Sequence, residues 1–408
     1  MDLHYYPCNR ILVFLFLISF GSFTAKAQKR NNVWVFGNHA GIDFNSTPPI
    51  PLDSTAVSNV DPYPVPHFLD NYYTASICDI NGNLLFYTDG VTVWDKKNSV
   101  IERYLGRWPW SLYTIPLICP YPGNDSLYYI FGVSSGSYAN RLQYLTINMN
   151  SNGGLGKIVY PMPSTPDNYY KLLLTNASVL LAGTTHCNGK DTWIVSYSGG
   201  AFYSFLVTEK GVDTVPVVSR ISLSLQNYLG SNIKFSASGE KLIFPQKDNN
   251  QIIVLSFNKA TGNFSNPVKL NAPTNQFLED AELSPDGTKL YFGSYTREDN
   301  GDDGTLEWHY IYQMDLNAPT PESIEKTILS IKTLPDRVPC NPYLCYTLNR
   351  TFQLGPDGAI YAGLRDNTGQ GFDTYAGIIP APNEPALQAG YNKSFIDLKR
   401  EYKGIRYN

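Results

Sequence analysis

Short apolar runs recur along this chain, each broken by a turn of Gly, Asn, Asp or Ser and followed by a second apolar run. The phrase Ile77-Cys78-Asp79-Ile80-Asn81-Gly82-Asn83-Leu84-Leu85-Phe86-Tyr87 is the first instance. Phe235 to Phe244, Leu283 to Phe292 and Leu354 to Tyr361 repeat it around Ser238-Gly239, Asp286-Gly287 and Asp357-Gly358. Such turn residues between apolar runs predict β-hairpins. An array of hairpins predicts a row of small sheets, and the expected fold is an all-β, β-propeller architecture.

Six units follow from this pattern. The first covers 74–104, with strands over Ala75–Asp79, Leu84–Thr88 and Val91–Asp95. The second covers 112–159 and the third 172–221, where Ser178–Thr184, Thr192–Tyr197 and Phe202–Val207 read as strands. The fourth covers 230–270. The fifth, 277–331, carries an acidic insertion from Arg297 to Gly304, and the sixth covers 352–398. Val33–Gly37 and Gly41–Phe44 are left over at the N-terminus. Paired with C-terminal residues such as Ile405 to Tyr407, they make a seventh blade and close the ring, which removes open sheet edges. A six-bladed ring with an appended hairpin is the alternative. No amphipathic helix or linker interrupts the pattern, so residues 28–408 read as one domain.

Arg10, the apolar run Ile11 to Phe20 and Ala25-Lys26-Ala27 have the order of a secretory signal peptide, with cleavage expected before Gln28. No later segment is long and apolar enough for a membrane span of about 20 residues. The mature protein is therefore expected outside the cytoplasm, in the periplasm, at the cell surface or beyond it. The formal net charge is −4, and Lys and Arg are dispersed, which argues against a nucleic-acid partner. The 30 tyrosines suit sheet interfaces, where a ring is buried and a hydroxyl stays polar. Cys340 and Cys345 flank an Asn-Pro turn and form the candidate disulfide; Cys78 reads as a small buried hydrophobe. No cysteine or histidine spacing predicts zinc.

Several phrases resemble one family. They are Trp34-Val35-Phe36-Gly37 with Ala40 to Phe44, the stretch Ala75 to Trp94, His186 to Trp193, and Leu354 to Ala362. They are similar to the propeller region of exported Bacteroidota proteins, many of which carry a C-terminal gliding-motility-associated (type IX secretion) sorting domain. The resemblance implies a propeller and export, and supplies no catalytic set. No sorting domain is expected between the last blade and Asn408, which makes periplasmic residence an expectation.

In a propeller, the start of each innermost strand and the loop after each second strand share one face. That rule gathers Asp89, Asp248, Asp280, Glu282, Arg297 and Arg365 around the channel mouth as candidate ligand-binding residues. Two readings compete. In one, Asp89, Asp280 and Glu282 hold a cation or a hydroxyl-rich ligand, or divide acid and base roles. In the other, each carboxylate accepts hydrogen bonds from nearby backbone amides. His186 is expected on the opposite face as a packing residue. Asp299-Asn300-Gly301-Asp302-Asp303-Gly304 superficially resembles a calcium loop, but Gly301 and Tyr310 stand at ligand positions, so a solvated acidic loop is expected there. Gly132-Val133-Ser134-Ser135-Gly136 lacks the helix a nucleophile elbow needs. The function expected is binding of a glycan or an envelope protein, with no cofactor. The alternative is a propeller hydrolase or lyase using a divalent cation at the channel mouth.

Overall fold

The computed structural model describes residues 29–36, 39–52, 55–57, 74–103, 116–134, 140–160, 170–221, 232–299, 305–331, 336–340, 351–363 and 375–398. Within them the predicted hairpins form seven small antiparallel sheets, arranged as the blades of a seven-bladed β-propeller. The six-bladed alternative is thereby corrected. Val33–Val35, Gly41–Asp43 and Ile50–Pro51 form a sheet of their own, blade 1, rather than an appendage. The segment Ile405 to Tyr407, expected to complete it, lies outside the described residues, as does the expected signal peptide over 1–27.

Blades 2 to 7 begin with Ala75–Cys78, Leu117–Pro120, Leu181–Thr185, Lys234–Phe235, Phe277–Leu283 and Thr351–Leu354. These first strands approach their successors on the inside of the ring: the blade 3 strand lies beside those of blades 2 and 4, and the blade 6 strand beside that of blade 7. The ring closes through blade 1. On one side, Trp34 and Phe44 meet Tyr361 of blade 7 edge-on, at ring centroid distances of 5.6 and 5.2 Å. On the other, the hydroxyls of Thr74 and Ser76 in blade 2 donate to the carbonyls of Val35 and Val33, each at 2.6 Å.

The core is not one central mass. It is a series of layers, each between neighbouring blades. In Lys241–Gln246, Leu242 and Phe244 pack towards blade 4, whereas Ile243 packs towards blade 6. Both faces of such a strand are buried, so its sequence reads as a continuous apolar run. Each fully buried Leu, Ile or Phe contributes about 1.5–3 kcal/mol. Two short helices, Pro321–Glu325 and Ala386–Ala389, lie outside the sheets.

The turns also fix blade spacing. Gly82, in the turn of the first predicted hairpin, has φ +95°, and a Cβ there would collide with Asn45 Oδ1 of blade 1. The Asn45 amide also donates to the Gly82 carbonyl at 2.9 Å. Gly82→Ala is therefore expected to cost about 1–3 kcal/mol through the left-handed backbone and the lost blade contact. A drop in the urea midpoint checks this.

Candidate functional site

The first strand of blade 6 holds three acidic residues within four positions, Glu279, Asp280 and Glu282. Leu278 pairs with Ser294 and Ala281 with Phe292, so the strand carries one extra residue between these pairs. This β-bulge bends the strand and re-aims its side chains. Glu279 turns towards His309 on the third strand of the same blade, with Oε1 and Nδ1 3.3 Å apart and both side chains buried. Asp280 and Glu282 turn towards blade 7.

There they meet a lysine that the sequence reading passed over. Lys234, from the first strand of blade 5, places Nζ 2.7 Å from Asp280 Oδ2 and 3.9 Å from Glu282 Oε2. The same ammonium donates to the carbonyls of Ala281 at 2.9 Å and Phe352 at 2.5 Å. All three of its donors are thus in use. The carboxylates in turn accept from blade 7: Phe352 N–H donates to Asp280 Oδ2 at 2.9 Å, and Leu354 N–H to Glu282 Oε2 at 3.2 Å. Glu282 Oε1 accepts from Leu283 N–H at 2.9 Å. The side chains of Lys234, Asp280 and Glu282 are 14%, 8% and 3% exposed. The result is an ionic clasp joining the first strands of three consecutive blades.

One cation serves two carboxylates in this clasp. Asp280 holds the closer contact, so a second negative charge at Glu282 is poorly compensated. Burial pushes the Glu282 carboxyl up to about 7, and the Lys234 ammonium opposes that only in part.

The residues expected at the rim lie on several elements. Asp280 does not open its strand. It is the fourth residue of Phe277–Leu283, and Glu282 lies nearer the strand's end. Asp89 belongs to blade 2, where its Oδ1 accepts from the amides of Val91 and Thr92 at 2.8 and 2.7 Å. That is the turn-capping role weighed from sequence. Among the described residues, no group of three or more His, Cys, Asp or Glu is placed to hold a metal ion. Arg297 is exposed on the second strand of blade 6, Lys289–Asp299, with its guanidinium carbon 5.5 Å from the Tyr295 ring centroid. Asp248 lies in the short 3-10 turn Lys247–Asn249; its side chain is outside the described set, as is Arg365.

His186 is a turn residue. Its Nδ1 accepts from Asn188 N–H at 3.1 Å, and its ring lies 5.8 Å from that of Trp193. Gly132 to Ser134 belong to a strand, Leu127–Ser134, while Ser135 and Gly136 lie outside the described residues. Cys78 is a free, buried thiol, as read from sequence. Cys187 is disulfide-bonded. The Cys340–Cys345 candidate falls outside the described side chains.

Comparison with solved structures returns propeller-containing proteins at low sequence identity. Hydrazine synthase from Kuenenia stuttgartiensis is 13% identical over 75% of this chain and 73% of that one, with a TM-score of 0.38. The Dos1 propeller is 10% identical over 78% of this chain and 68% of that one, with a TM-score of 0.41. TolB from Acinetobacter baumannii is 11% identical over 72% of this chain and 56% of that one, with a TM-score of 0.32. No family model and no curated protein matches the chain.

Proposed function

We propose that this propeller is an exported binding module of the cell envelope, of the kind its sequence resembles, with a glycan or an envelope protein as partner. One observation carries the reading. The carboxylates best placed for chemistry, Asp280 and Glu282, are committed to backbone amides of blade 7 and to Lys234. Their work is to hold the ring. By contrast, Arg297 is presented to solvent on the blade 6 hairpin, whose strands Lys289–Asp299 and Thr305–Asp315 each run for 11 residues. That is more than any other described strand pair provides. Recognition is therefore assigned to the projecting end of blade 6, and the channel wall to structure.

Binding of residues 28–408 to polysaccharides and to purified envelope proteins tests this assignment. Arg297→Glu is expected to weaken retained binding at least tenfold with an unchanged melting temperature. Asp89→Ala is expected to lower the melting temperature and leave affinity, measured well below it, intact. The reverse pattern would contradict the reading.

A further inference from the structure

Asn-Gly occurs four times in this chain. It is the dipeptide most prone to spontaneous loss of the side-chain amide, because Gly puts no Cβ in the way of its own nitrogen. The reacting atoms, Gly N and Asn Cγ, must first come to about 3–3.5 Å. That asks the Asn side chain and the following peptide to rotate, so the hydrogen bonds that hold them slow the reaction. At Asn188-Gly189 the side chain accepts from the amides of Lys190 and Asp191, each at 3.0 Å, and donates to Asp191 Oδ2 at 2.8 Å. Gly189 N–H donates to the His186 carbonyl at 3.0 Å. At Asn81-Gly82, Gly82 N–H donates to the Asp79 carbonyl at 3.1 Å, and the Gly82 carbonyl accepts from Asn45 of blade 1. Asn300-Gly301 lies outside the described residues. Asn152-Gly153 differs from the two held pairs. It lies in the turn between Arg141–Asn148 and Lys157–Val159 of blade 3, with both residues exposed. Among the described residues, neither the Asn152 side chain nor the Gly153 N–H has a hydrogen-bond partner. Gly153 and Gly154 have φ +64° and +85°, with open space around both.

We propose that Asn152 is a spontaneous deamidation site, where hydroxide and water convert asparagine to aspartate and isoaspartate in the folded protein. Hydroxide takes the Gly153 N–H proton, and the nitrogen attacks Asn152 Cγ. The N–Cγ bond forms as the Cγ–Nδ2 bond breaks. The amide nitrogen leaves as ammonia with a proton from water, which restores the hydroxide and leaves a cyclic succinimide. Water then opens the ring. Addition at Cγ gives aspartate; addition at the backbone carbonyl carbon gives isoaspartate, whose main chain runs through the side chain and is longer by a methylene. Nothing is oxidised or reduced. Either product puts a new negative charge at the tip of this hairpin. Isoaspartate also turns the Asn152 carbonyl, which accepts from Leu155 N–H at 3.3 Å, into a free carboxylate, close to the hairpin's last pair, Asn148 and Lys157.

Timed incubation of residues 28–408 in warm, mildly alkaline buffer, followed by peptide mapping with mass spectrometry and isoaspartate detection, tests this. Conversion is measured at Asn81, Asn152 and Asn188, in the folded protein and in urea with a thiol reductant. In the folded protein Asn152 is expected to convert about tenfold faster than either of the others, or more, because each hydrogen bond that must break first slows them by about two- to tenfold. In urea the three rates are expected to converge. Equal rates in the folded protein would overturn the proposal by showing that this turn is held as firmly as the other two. A gap that urea leaves unchanged would overturn it as well, since the neighbouring residues in sequence, and not the fold, would then select the site.

Discussion

Lys234→Ala is expected to destabilise the protein by about 3–5 kcal/mol, the range for removing one partner of a buried ion pair. The substitution leaves Asp280 and Glu282 facing each other without their cation, and strands the carbonyls of Ala281 and Phe352. It also removes a side chain that links blade 5 to blade 7 across blade 6. Urea unfolding followed by tyrosine and tryptophan fluorescence measures the loss. The triple variant Lys234→Met, Asp280→Asn, Glu282→Gln is expected to recover part of it, because no charge then stays buried and the new amides still accept from Phe352 and Leu354. If Lys234→Ala is within about 0.5 kcal/mol of the parent, the range of an ordinary surface change, the clasp contributes nothing.

The second large effect is a stability that falls as pH rises. Glu282 titrates near its ordinary value of 4.5 in the unfolded chain and at about 7 in the folded one. Between those values the folded protein holds a proton that the unfolded chain has released, so unfolding free energy declines through this window and levels off above it. The full change is about 3 kcal/mol at 1.36 kcal/mol per unit. Glu282→Gln stays neutral at every pH and is expected to remove that slope. Subtracting the variant's pH profile from the parent's isolates Glu282 from the buried Glu279–His309 pair, which both proteins retain. A difference that rises with pH would show that Glu282 is ionised and well paired in the folded state.

Much of the fold was legible because turns and strand runs are local. Asp-Gly and Asn-Gly between apolar runs place hairpins without reference to any distant residue, and the leftover Val33–Phe44 strands pointed to a seventh sheet, with a six-bladed ring and an appended hairpin as the alternative. Arg297, expected at the end of a second strand, lies in Lys289–Asp299, near the end of that strand. The clasp was not. Lys234 meets Asp280 and Phe352 at sequence separations of 46 and 118, and nothing in a lone lysine beside Phe235 announces either partner. The bulge was hidden too. It arises from a two-strand register, and Asp280 is fourth in its strand because the pairing already begins at Phe277. Asp89 shows the opposite case. Its amide partners lie two and three residues ahead, so turn capping could be set beside ligand binding from sequence alone.

Native-state hydrogen exchange at Phe352 and Leu354 tests the clasp most directly. If Asp280 and Glu282 hold these amides, both exchange only through global unfolding in the parent, and both speed up ahead of the neighbouring blades in Lys234→Ala. Rapid exchange of both in the parent, at a rate that Lys234→Ala leaves unchanged, would show that the acidic pair on blade 6 does not fasten the ring.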